Sequence, residues 1–136
     1  MITSKEILKL ARELLCDSEV KNRAAIGRAY YASYHAIKNL AKVKLGYHAP
    51  EKGDRQSVHW HLCQFLISHS EESIQVIGCE LRKLSRNRRK ADYQLNATIE
   101  KNNSTLIVAM ASSIIDDSKK SFIALDTDSS DQQMDA

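Results

Sequence analysis

EVKNRAAIGRAYYASYHAIKNLAKVKL, residues 19–45, decides the fold class: 27 residues without proline, followed at once by Gly46, a natural helix stop. At 1.5 Å per residue this segment makes a helix of roughly 40 Å, the longest element read from the sequence. Turning 100° per residue from Ile26, the side chains of Ala29, Tyr30, Ser33, Ile37, Leu40 and Ala41 fall on one broad face, with Arg23 near its edge. Tyr31 and His35 project from the other side.

The neighbouring segments follow the same period. Thr3 and Glu6 have capping-box spacing ahead of Ile7, Leu8, Leu10, Ala11, Leu14 and Leu15, so a first helix is expected from about Ser4 to Cys16. Downstream, the stretch from Tyr47 to Gly53 holds the only proline, after which Asp54 is positioned to cap a helix through Val58, Leu62, Phe65 and Leu66. Ser70, Glu71 and Glu72 open another helix, whose apolar stripe runs through Ile74, Ile77, Leu81 and Leu84 to Leu95. A polar linker over 96–103 leads to a last helix, capped by Asn103 or Ser104 and carrying Ile107, Met110, Ala111, Ile114 and Ile115 toward Leu125. Residues 126–136 have little to bury and are expected to form a disordered acidic tail.

Composition agrees. One proline and four glycines in 136 residues are too few for the tight turns of a β-sandwich or a Gly-rich nucleotide loop. The expectation is therefore an all-α, up-and-down bundle of four to five helices over residues 1–125. Cys16, Cys63 and Cys79 are odd in number and lack zinc-site spacing, which suits a reducing cytoplasm. No apolar run reaches the roughly 18–20 residues of a membrane span, and no cofactor motif is present.

Charge is unevenly spread. The formal +3 includes four aspartates of the tail, so residues 1–125 set 20 basic groups against 13 of the 17 acidic ones, a formal +7. Arg82, Lys83, Arg86, Arg88, Arg89 and Lys90 place six cations in nine residues with no acid among them. On the wheel, Arg82, Arg86, Arg89 and Tyr93 share a solvent-facing stripe that suits phosphate contacts, with Lys90 in the same run. A solvated helix face is the commoner meaning of such a run, but cations this dense without compensating glutamates repel one another and favour an anionic partner. Arg88 and Asp92 fall instead on the apolar face, four residues apart, where they are expected to pair. Such a pair serves either as a structural clamp or as a polar site in a cleft.

Two segments carry a resemblance. Arg23-Ala24-Ala25-Ile26-Gly27-Arg28-Ala29-Tyr30-Tyr31-Ala32-Ser33-Tyr34-His35-Ala36-Ile37-Lys38-Asn39-Leu40 resembles the second helix of HEPN domains. Arg88-Arg89-Lys90-Ala91-Asp92-Tyr93 is similar to an Arg-x-x-Ala-Asp-Tyr element that ends a later helix in a prokaryotic branch of that family. The resemblance covers about residues 1–125. It implies a helical bundle, often a homodimer with polar motifs facing across a cleft. It further implies membership of a toxin–antitoxin or phage-defence type system, as an RNA-binding protein or metal-independent endoribonuclease. The alternative it leaves is a non-catalytic interaction module that docks on a nucleotidyltransferase or another protein. Carried over residue by residue, it nominates Arg86, Asn87, Arg88, Asp92 and Tyr93 for the catalytic motif, with Arg82, Arg86, Arg89 and Lys90 on the RNA. Tyr93 also matches the position that nucleotidyltransferase antitoxins modify.

The sequence departs from the ribonuclease motif at its proton carrier. Six residues after Arg86 stands Asp92, and the last histidine is His69. Histidine near neutral pKa exchanges protons with RNA hydroxyls at pH 7, whereas aspartate near 3.9 is a weak base there. His35 is the best substitute by helix, although the wheel places it opposite the Ile26–Ile37 face, where an exposed or interface histidine is the commoner meaning. Of His59, His61 and Cys63, only His59 and Cys63 reach one ion, and two ligands do not make a metal site. Tyr30 and Tyr34 are expected to pack with their hydroxyls satisfied at the rim, Tyr31 to serve an interface, and Trp60 to anchor a core or interface.

Overall fold

The computed structural model describes residues 1–51 and 57–134, with side chains to Leu125 in the last helix. The Asp54 cap expected from the sequence lies outside the described residues, as do the side chains of the tail expected over 126–136. Among the described residues there are five helices and no strand: α1 Ser4–Leu14, α2 Glu19–Leu45, α3 Val58–Ile67, α4 Glu72–Tyr93 and α5 Lys101–Met134.

Local chemistry sets most of the boundaries. The Thr3 hydroxyl accepts from the Glu6 N–H at 3.2 Å while the Glu6 carboxylate accepts from the Thr3 N–H at 3.3 Å, which completes the capping box of α1. Ser18 caps α2 through the Lys21 N–H, and Gly46 ends it in the left-handed conformation at φ 68°, with the Tyr47 N–H returning to the Ala41 carbonyl. For α3 the cap is Ser57, which accepts from the Trp60 N–H at 3.1 Å. Helix α4 starts after Glu71 without a side-chain cap and ends at Tyr93, so Leu95 lies beyond the apolar stripe expected to include it and is 77% exposed. The last helix begins at Lys101, ahead of the expected caps.

Helix α2 is the central element, packed by α1, α4 and α5, while α3 lies on α4. Ile37, Leu62, Leu66, Ile74, Leu81, Leu84 and Phe122 fill the main core, and Ile26 forms a smaller cluster with Ala91 and Ile99. At Gly78 the backbones of α3 and α4 approach so closely that a Cβ would stand 2.9 Å from the Ile67 nitrogen and from the Leu66 Cβ. No helix among the described residues is long and apolar enough to cross a membrane.

Candidate functional site

The sequence motif at the end of α4 is held in place by a residue of α2. Arg23 extends its guanidinium across the C-terminus of α4, where the last turn leaves carbonyls without intrahelical partners. It donates to the Ala91 carbonyl at 2.9 Å and the Gln94 carbonyl at 3.2 Å, and it also reaches the Ala97 carbonyl in the following turn. Glu19, one turn earlier, accepts from Arg23 at 3.1 Å and from the Ile99 N–H at 3.2 Å. Those two donors hold the Glu19 carboxyl below its ordinary pKa, the Ile99 N–H contributing most. A cation at a helix C-terminus is also favoured by the macrodipole. One ion pair of α2 thus fixes both the end of α4 and the loop into α5.

With the end of α4 anchored, Arg88 and Asp92 face a cleft of about 510 Å3 between α1, α2, α3 and α4. Leu10 and Leu14 of α1 form its apolar wall, and Ala24 and Gly27 of α2 leave it room. A Cβ on Gly27 would sit 3.7 Å from the Asp92 Oδ1, an ordinary contact. The Arg88 and Asp92 side chains pair at 3.4 Å, as their spacing requires. The pair is not sequestered as expected, however: Arg88 is 19% exposed and Asp92 40%, because the small residues of α2 leave the carboxylate open to the cleft. The Arg88 Nε is buried and has no hydrogen-bond partner among the described residues.

Around this pair the cleft gathers residues distant in sequence. The Arg88 guanidinium lies 5.4 Å from the centre of the Tyr30 ring, and Arg28 lies 5.1 Å from that of Tyr31. The Tyr30 hydroxyl and the His59 Nδ1 are 2.6 Å apart, and the Tyr34 ring packs tilted against His59 with ring centres 4.4 Å apart. Burial raises the Tyr30 phenol above its ordinary pKa, partly opposed by a hydrogen bond with Ser85, so the phenol keeps its proton. His59 moves down from 6.5, first through burial and then through the positive charge of Arg88, with His35, Lys38 and Arg89 adding to it. Its place in the first turn of α3 works in the same direction, because the helix's positive end disfavours an imidazolium. His59 is therefore a neutral imidazole at pH 7.

The residues nominated from the sequence divide between several surfaces. Arg88 and Asp92 line the cleft. Asn87 turns its amide back to the Lys83 carbonyl at 3.1 Å and, with Lys90, borders a separate small cavity toward α5. Arg86, Arg89 and Lys90 are exposed, and Tyr93 is 73% exposed. Arg82 departs from the solvent-facing stripe: it is half-buried, with its Nε enclosed. Tyr30 and Tyr34 are buried and Tyr31 is exposed, as the wheel requires, whereas Trp60 is exposed and anchors no core of this chain. Among the described residues, no group of three His, Cys, Asp or Glu side chains is placed to hold a metal ion.

Sequence reasoning passed over Arg23, Arg28 and His59 as site residues. The only signal for His59 was its chemistry, since its contact with Tyr30 spans 29 positions and depends on where α3 is seated on α4. The chain matches no protein-family model and no curated protein.

Proposed function

We propose that the protein binds RNA, with a phosphodiester seated in the Arg88 cleft and the flanking chain tracked by Arg86, Arg89 and Lys90. The reading extends to metal-independent endoribonuclease activity in a toxin–antitoxin or phage-defence type system, as the HEPN resemblance implies. One observation carries it: two guanidinium groups, Arg28 and Arg88, flank a single cleft that also holds a neutral imidazole. At about 510 Å3 the cleft is within the usual range for small-ligand sites, large enough for one nucleotide. The Arg88 guanidinium borders the cleft, and planar guanidinium groups suit phosphate oxygens. The aromatic faces of Tyr30 and Tyr31 underlie the two arginines and restrict where they point.

Fluorescence anisotropy with a labelled single-stranded RNA over about 50–200 mM salt tests this reading, because log affinity falls with log salt by about 0.7 for each phosphate neutralised. Replacing Arg86 and Arg89 together with alanine is expected to flatten the slope by about 1 to 1.5, and R88A to weaken binding. Affinity that ignores both salt and these substitutions refutes the proposal. It would favour the module that docks through its basic face on an acidic protein, of which the Arg88–Asp92 pair is then only a brace.

A further inference from the structure

A carboxylate repels phosphate oxygens, yet Asp92 stands in the cleft with 40% of its side chain exposed. Its bond to Arg88 engages one oxygen, a single contact from Nη1 to Oδ2 at 3.4 Å. A carboxylate has about four lone-pair positions, so most of the accepting capacity of Asp92 is unused. The other oxygen, Oδ1, lies over Gly27, where even a Cβ would stand 3.7 Å away, and Ala24 is the next small residue of that wall. The rest of the cleft donates. Arg28 and Arg88 border it, and with the Tyr30 O–H donating to the His59 Nδ1 the neutral imidazole keeps its proton on Nε2. An acceptor left open among donors is misplaced for a phosphate and well placed for a ligand group that donates, and of the parts of a nucleotide the base supplies one.

The geometry points to the Arg88–Asp92 pair as a reader of guanine, so that the RNA held in this cleft is selected by a guanine base beside the bound phosphate. The assignment rests on the RNA reading above and names the base that its cleft prefers. Side by side, the two groups present a guanidinium N–H and then two carboxylate oxygens, one donor followed by two acceptors. The Watson–Crick edge of guanine is the complement of that order, with O6 accepting and N1–H and N2–H2 donating. Adenine and cytosine match the order at two positions only. Uracil matches at O4 and N3–H, but its O2 then meets the second carboxylate oxygen. Unstacked bases of single-stranded RNA are commonly read on this edge. Leu10, 45% exposed, and Leu14 offer the flat base an apolar wall. The adjoining phosphate is left to Arg28 and to the remaining N–H groups of Arg88.

Fluorescence anisotropy of the full-length protein with short labelled oligouridylates, identical but for one central nucleotide, reads this selection. A central guanosine is expected to bind about 10- to 100-fold more tightly than adenosine, cytidine or uridine. Inosine, which lacks only the N2 amine, should fall about 10-fold below guanosine. 7-Deazaguanosine keeps the Watson–Crick edge and should match guanosine, whereas 1-methylguanosine should lose the preference. D92N turns one acceptor into a donor. It should bind the guanosine oligomer about 10-fold more weakly and the all-uridine oligomer at least as tightly as the wild type does, because a charge that opposes phosphate is gone. A structural brace would weaken every oligomer alike, and a purely electrostatic role would strengthen every one. If D92N melts early, the base series on the wild type decides by itself. Equal affinities, a preference for another base, or a guanosine preference that persists in folded D92N overturns the guanine reader and leaves the RNA reading standing. 5′-GMP as the ligand separates the sources of the base: binding of GMP with no oligomer bound overturns the proposed function and keeps the guanine reader. If neither binds, both fall.

Discussion

Arg23→Ala should destabilise the bundle more than Arg88→Ala, although the sequence makes Arg88 the suspicious residue. Arg23 is only 12% exposed at its side chain and donates to four carbonyls beyond its own helix, at Lys90 (a long contact of 3.5 Å), Ala91, Gln94 and Ala97. Hydrogen bonds to a charged group contribute about 1.5–3 kcal/mol each. Gln94 is exposed and can turn to water, so only the partly buried bonds to Ala91 and Ala97 count nearly in full. The expected loss is then about 3–4 kcal/mol. For a domain of this size that is a fall in Tm of about 10–15 °C. Arg23→Lys keeps the cation near the helix end but cannot span these acceptors, and should recover about 1 kcal/mol. Urea unfolding followed by circular dichroism measures all three proteins. If Arg23→Ala lies within about 1 kcal/mol of the wild type, the clamp does not carry the end of α4 and the reasoning fails.

Other expectations follow from the same geometry. Arg88→Ala should cost only about 1–2 kcal/mol, the sum of a half-exposed ion pair and a cation–π contact, again read by urea unfolding. The two glycines inside helices should respond oppositely to alanine in thermal melts. Gly27→Ala has room and should gain up to about 1 kcal/mol of helix propensity. Gly78→Ala meets backbone at 2.9 Å and should lose about 1–2 kcal/mol net, since overpacking outweighs that gain. Stability should also fall as pH drops below about 6.5, because His59 and His35 are held below that value in the fold while their unfolded forms take up protons first. H59N should reduce that slope in denaturation midpoints between about pH 7 and 5.

What was legible in the sequence was local. The Thr3–Glu6 box and the Gly46 stop are decided within a few residues, and the structure has them where the spacing places them. The pairing of Arg88 with Asp92 was legible for the same reason, being one turn of one helix. Its depth was not, because that depends on the neighbour: Ala24 and Gly27 are too small to close over Asp92. The end of α4 was misplaced by two residues for a similar cause. Apolar periodicity continues to Leu95, but the helix stops at Tyr93, where Arg23 takes over its last carbonyls from a distance of 68 residues.

These errors share a direction that bears on function. A helical wheel sees one helix, so it left the charge pair within α4 open between a structural clamp and a cleft site and could not see the clamp arriving from α2. Once Arg23 and Glu19 anchor the helix end, the bundle has less need of Arg88 as a brace, and its guanidinium is left bordering an open cleft. Stability alone does not explain an arginine so placed, since an apolar residue would fill the same space without the desolvation of a charge. The proposed RNA binding supplies a reason for it, and that proposal makes a further demand: a site that holds an anion should lose stability when its cations lack one. Adding a short RNA oligonucleotide should therefore raise the Tm of the wild type, by an amount that grows with the logarithm of its concentration, and raise that of R88A less. Equal shifts in the two proteins would place the anion elsewhere and return Arg88 to a structural role.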